Sequence, residues 1–296
     1  MHTRALYHLL RHSPSQDTPI WAREDFRDLE LSELFKRLAT LHVVLDTASF
    51  LAFAREADSP EELVELLLEE PQDHAYLLLF ELWRKLLADR PTLSIFCDEL
   101  DRRIDVYERG EGDELLQDAL AELAEWLQEQ VDTGIKPHKV WEEVSEHLAH
   151  DLETFLYDYM ASWLDEGNIE YPKELLEEFS PYFPKSAWFE LLRASFATTR
   201  ADAERHVRAV LATECELGLL LDVIRFLIPF DHAAVLRAAF EKMEPLIKTK
   251  EELVELCDLL AEHYRRVDDD AALQKVLAVR KEPSVSNVKA IVLKCL

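Results

Sequence analysis

Glycine is scarce in this sequence, with 5 in 296 residues where average usage would put about 20. Tight β-turns and phosphate-cradling loops depend on glycine for their backbone angles, so a sheet-rich fold, a P-loop and a dinucleotide fingerprint are all disfavoured. Cysteine is equally thin. Cys97, Cys215, Cys257 and Cys295 are far apart and form no CxxC pair, which removes zinc-ribbon and thioredoxin-like readings and fits reduced thiols in a cytoplasmic setting. Long apolar runs are also missing. No stretch reaches the ~18 residues of a membrane span, and MHTRALYHLLRH is too short in apolar residues for a secretory leader. The GxSxG, HExxH and EF-hand patterns are absent, and nothing calls for a cofactor.

Helix formers dominate what remains. Apolar residues recur at helical spacing from Leu31 to about Ala57, and Ser59-Pro60-Glu61-Glu62 supplies a capping serine, an N1 proline and a box-closing glutamate for the next helix. Thr18 and Pro19 read as a similar start. Pro71 restarts the chain into HAYLLLFELWRKLL, which is greasy on nearly every side and marks the centre of the first half. LSIFCDELDRRIDVYE reads as an amphipathic helix closed by Gly110 and Gly112. Asp113 then caps a helix whose apolar stripe is Leu116, Leu120, Leu123 and Leu127. Residues 137–165 carry one unbroken helical pattern with the stripe Trp141, Val144, Leu148, Leu152, Phe155, Tyr159 and Trp163. Later starts are expected at Asp231, at the Thr249/Glu252 capping box, at Asp268–Asp270 and at Ser286.

The expected fold class is all-α without β-sheet, either an irregular α-solenoid or two packed bundles of antiparallel helix pairs. The expected division is an acidic first domain, 1–167, ending in the long central helix, and a second helical domain, 168–296. Prolines 172, 181 and 184 break the junction into short pieces crowded with aromatics. Tyr182, Phe183 and Trp188 there are expected to clasp neighbouring helices, with an aromatic groove for a peptide as the alternative.

Basic residues are thinly spread. The net charge is −27; residues 1–167 hold 38 acids against 15 bases, and 168–296 hold 22 against 18. Between 111 and 170 only Lys136 and Lys139 oppose 17 acids. Asp118, Glu122, Glu125 and Glu129 share the helix face opposite the leucines, and Glu143 adds to them on the central helix. Like charges one turn apart cost a few tenths of a kcal/mol per pair. This pattern points to a solvated face, or more sharply to a docking surface for a basic protein or peptide. It disfavours nucleic acid, whose phosphates it would repel.

The most site-like cluster in the sequence is Glu143, His147, His150 and Asp151. The His150-Asp151 dipeptide resembles the HD pair of helical metal-dependent phosphohydrolases, without the lysine and glycine that follow it there. His147, His150 and Asp151 are therefore the ligand candidates of an alternative reading, a metal-dependent hydrolase. His8 and His12 form an i,i+4 pair that reads as a polar face. Cys97 reads as a small core residue. The leading expectation is a non-enzymatic interaction module, a scaffold, adaptor or regulator.

Overall fold

A computed structural model describes residues 1–70, 72–112, 114–229 and 233–283. The expected starts at Pro71, Asp113, Asp231 and Ser286, and Cys295, lie outside these residues. The fold is all-helical: sixteen α-helices and three short 3-10 turns, with no strand among the described residues. The chain divides into two compact units, Met1–Leu152 and Glu153–Leu296. The boundary expected at 167/168 falls inside the second.

In the first unit the helices are α1 (Thr3–His12), α2 (Leu31–Thr40), α3 (Thr47–Ala54), α4 (Pro60–Leu67), α5 (Asp73–Leu86), α6 (Leu93–Glu108), α7 (Glu114–Asp132) and α8 (Pro137–His147). α5 is its centre, as its all-round apolarity implies. Residues 75–83 are buried without interruption, and α5 packs against α2 and α4. Trp83 is fully enclosed; its indole N–H donates to the Arg90 carbonyl at 3.2 Å. Arg90 in turn lies over the ring, 5.0 Å from its centre, and donates to the carbonyls of Ala54, the last residue of α3, and of Ala57 beyond it. α6, α7 and α8 pack on one another, and α1 lies against both α6 and α8.

Several starts follow the expected chemistry. Ser59 caps α4 by accepting from the Glu62 N–H. The Glu62 carboxylate takes the N–H of Asp58 rather than that of Ser59. Gly110, at φ +74°, ends α6, with Glu111 N–H reaching back to the Val106 carbonyl. The leucine stripe of α7 is buried as read.

Three expectations give way. The pattern from Leu31 to Ala57 is cut at 41–46, where His42 takes the left-handed conformation (φ +67°) that ends α2, and an Asp46–Ser49 capping box starts α3. Thr18 starts no α-helix. Its hydroxyl accepts the Ser15 N–H, and only a 3-10 turn, Ile20–Arg23, follows Pro19. The central pattern is not one helix: α8 stops at His147 and α9 (Leu152–Asp165) begins five residues later. Leu148 is extended there, ψ 140°, because the N–H groups of Ala149 and His150 bond to the Asp101 carboxylate.

In the second unit α9 is followed by α10 (Glu170–Phe179), α11 (Ala187–Phe196), α12 (Arg200–Leu211), α13 (Leu217–Leu227), α14 (Ala233–Met243), α15 (Lys250–Arg266) and α16 (Asp270–Lys281). Neighbours pair as α11 with α12, α13 with α14 and α15 with α16, and contacts also join α11 to α13, α12 to α14 and α13 to α15. That ladder is how successive helix pairs stack in a layered array. The Thr249/Glu252 capping box forms, and Asp269 caps α16.

Replacing Trp83 with alanine removes a fully enclosed ring and leaves a cavity, so it should cost ~3–5 kcal/mol. Urea unfolding followed by far-ultraviolet circular dichroism measures that loss.

Candidate functional site

Asp98, Asp101 and Asp105 stand at i, i+3 and i+7 on α6, so they share one side of the helix. That side faces the interior. Asp98 and Asp101 are buried and Asp105 is nearly so. Desolvating three carboxylates is costly unless each is matched, and each is matched differently.

Asp98 is enclosed by arginines. Arg4 Nε of α1 lies 2.6 Å from Oδ1, and Arg27 and Arg84 meet Oδ2. Arg27 also donates to the Asp98 carbonyl at 2.8 Å. Burial alone would raise the Asp98 carboxyl, but the three guanidinium groups outweigh it and hold the group well below the usual carboxylate range. Glu81, buried on α5, joins the network through Arg84 Nε at 3.0 Å and Arg4 Nη2 at 3.4 Å.

Asp101 receives the 148–151 break. It accepts the N–H groups of Ala149 and His150 at 2.9 and 3.1 Å, and the His150 Nδ1 lies 2.9 Å away. Asp105 gathers histidines: His8 Nε2 at 3.0 Å, His12 Nε2 at 3.2 Å and His150 Nε2 at 3.3 Å. Burial acts to lower the His150 imidazole, yet the two carboxylates it bridges push it up to about 10. Asp105 moves the opposite way, well below its ordinary value, because the neighbouring His150 and His8 rings overcome its desolvation. The ligand atoms of His8, His12 and Asp105 lie within 4.8 Å of one another, as do those of Asp105, Glu108 and His150.

Neither grouping contains His147 or Asp151, so the ligand trio expected from the sequence is not assembled. His147 turns to the other end of α1, its ring 4.4 Å from His2; burial, then the charge of His2, lowers its pKa. Asp151 is exposed. The residues missed were His8, taken for a polar face but buried, and the α6 carboxylates. Their i, i+3, i+7 repeat was visible, but nothing local distinguished an inward acid stripe from a solvated one.

The α7 acids lie elsewhere. Asp118, Glu122, Glu125 and Glu129 are exposed, opposite the buried leucines, and none makes an ion pair with a described residue. Glu143 of α8 is exposed as well. Tyr182 and Phe183 are buried, and the half-buried Trp188 packs on Tyr157 at 4.5 Å. Cys97 is fully buried on α6, where burial and the neighbouring Asp101 and Asp98 push its thiol well above the ordinary range. Both effects disfavour the thiolate that a nucleophile needs. Cys97, Cys215 and Cys257 are all free thiols. No protein-family model, curated protein or solved structure matches the chain.

Asp98→Asn strips the charge that Arg4 and Arg84 are buried against and should cost ~3–5 kcal/mol in urea unfolding. Glu61 carries a pH signature. Its carboxylate accepts from the Tyr76 hydroxyl at 2.9 Å and lies 3.1 Å from His2 Nε2. Burial would raise its pKa, but these partners bring it down from 4.5 to about 2. A carboxyl lowered on folding stabilises above its unfolded pKa and ceases to do so as pH falls through the folded one. The stability gap between wild type and Glu61→Gln, measured by urea unfolding, should therefore close as pH falls from 4.5 to 2.

Proposed function

We propose that this chain is a non-enzymatic protein-interaction module, a scaffold, adaptor or regulator, in which the outer side of α7 receives a basic protein or peptide. The observation that carries the reading is the contrast between two sets of acids in one unit. The inward acids of α5 and α6 take up Arg4, Arg27 and Arg84, and Arg37 is held by Glu24 and Glu33. Asp118, Glu122, Glu125 and Glu129 keep their charge exposed with no cation from the fold.

Along the helix these four span about 16 Å, and Glu143 adds a fifth exposed carboxylate from α8. A row of uncompensated charge speeds encounter with a cationic partner, and the attraction fades as salt shortens its ~8 Å physiological range. The same sign repels phosphate backbones. No helix among the described residues is long and apolar enough to cross a membrane.

Replacing Asp118, Glu122, Glu125 and Glu129 together by lysine tests the reading. A fluorescent lysine- and arginine-rich peptide should bind the wild type in a salt-sensitive way and the reversed variant at least ~10-fold more weakly, with the helical circular dichroism unchanged. Equal binding by both proteins would remove the acidic row from the function.

A further inference from the structure

His8 and His12 sit one turn apart on the last two turns of α1, with their rings stacked at 4.9 Å. Both present Nε2 to a single atom, Oδ2 of Asp105, at 3.0 and 3.2 Å. We infer that His8, His12 and Asp105 form a binding site for one divalent transition-metal ion of the zinc class, with His150 and Asp101 as positioning residues behind the carboxylate. This site is separate from the α7 acids and does not rest on the function proposed for them.

Spacing supports it first. An ion with four tetrahedral ligands at about 2.0–2.1 Å holds them about 3.3 Å apart. The two nitrogen-to-oxygen separations are already close to that edge length, so an ion enters with little rearrangement. Direction supports it second. His8 is 3% exposed, and although its Nε2 is 3.0 Å from Asp105 Oδ2, that nitrogen satisfies no hydrogen bond. The contact is short but misaligned. A buried nitrogen aimed beside an oxygen rather than at it suits a common third point for both lone pairs.

The surroundings supply the outer support that metal carboxylates need. Asp105 Oδ1 is taken by His150 Nε2 at 3.3 Å, His150 Nδ1 by Asp101 at 2.9 Å, and Asp101 by two backbone N–H groups. Oδ1 is thus engaged, and Oδ2 is turned to the histidine pair. Two imidazoles with one carboxylate favour zinc, cobalt, nickel or copper over magnesium or calcium, which prefer all-oxygen shells. His12 is 52% exposed, giving the ion a route in and a fourth position open to water.

The full chain, made without a histidine tag and stripped with chelator, is titrated with zinc chloride in a calorimeter and with cobalt(II) in a spectrophotometer. The site predicts one equivalent of zinc with a Kd of about 1 µM or tighter, a visible cobalt absorption band and a raised Tm. His12→Ala alters a half-exposed side chain and should leave the metal-free Tm in place while weakening zinc by ~100-fold or more; His150→Gln should weaken it ~10–100-fold and shift the cobalt spectrum. His138→Ala, an exposed histidine outside the cluster, should bind as wild type. Absence of stoichiometric zinc in the wild type, or undiminished binding in His12→Ala, overturns the site and leaves the cluster as an ionic clamp between α1 and α6.

Discussion

Burying a carboxylate carries a penalty of several kcal/mol even after water and protein relax around it, and α6 turns Asp98, Asp101 and Asp105 inward within eight residues. Much of the first unit is arranged around meeting that demand. α1 contributes Arg4 and His8, the turn after Asp25 contributes Arg27, α5 contributes Arg84, and the segment after α8 contributes two backbone N–H groups and the His150 ring. None of these links is between apolar side chains. They are directional, which fixes the positions of α1 and of the 148–151 break more closely than apolar contact alone would.

The same demand shapes the surface. In a sequence poor in bases, each guanidinium drawn to the interior is one fewer available outside. The strongly negative exterior of α7 is then the complement of a well-matched interior, and the two are parts of one charge distribution. A lysine or arginine paired with Asp118, Glu122, Glu125 or Glu129 would relieve the like-charge repulsion between successive turns; among the described residues none is.

Much of the architecture was legible. Local chemistry identified α4 by Ser59 and Pro60, α15 by Thr249 and Glu252, α5 by its all-round apolarity and α7 by its leucine stripe, because each signal is set by residues within a turn or two. What could not be read depended on distant partners. The break after His147 looks helical in sequence: Leu148 and Leu152 continue the stripe, and neither proline nor glycine interrupts it. Only Asp101, forty-eight residues earlier than Ala149, draws the N–H groups away from the helical ladder. The break after Thr40 was hidden for another reason, since His42 occupies the left-handed position that glycine would normally announce. The candidate metal site failed to appear for the same cause as the first break. His8 and Asp105 are far apart in the chain, and α1 was too short to show which face it buries.

α1 makes the consequence concrete. Of its ten residues, those buried are Arg4, Ala5, Tyr7 and His8, so about half of its inward side is polar. Such a helix gains little from apolar area alone. Tyr7 donates to Asp73 at 2.8 Å, His2 meets Glu61, and the His2 N–H reaches the Glu146 carbonyl at 2.6 Å; with Arg4 on Asp98 and His8 on Asp105, nearly every turn is held by an acid or a carbonyl of another element. Truncating one member of such a buried pair leaves the other uncompensated. The helix that carries two of the three proposed metal ligands is thus positioned by carboxylates from end to end, and an ion at its last turns would tighten a docking that the buried acids of α5 and α6 have already set.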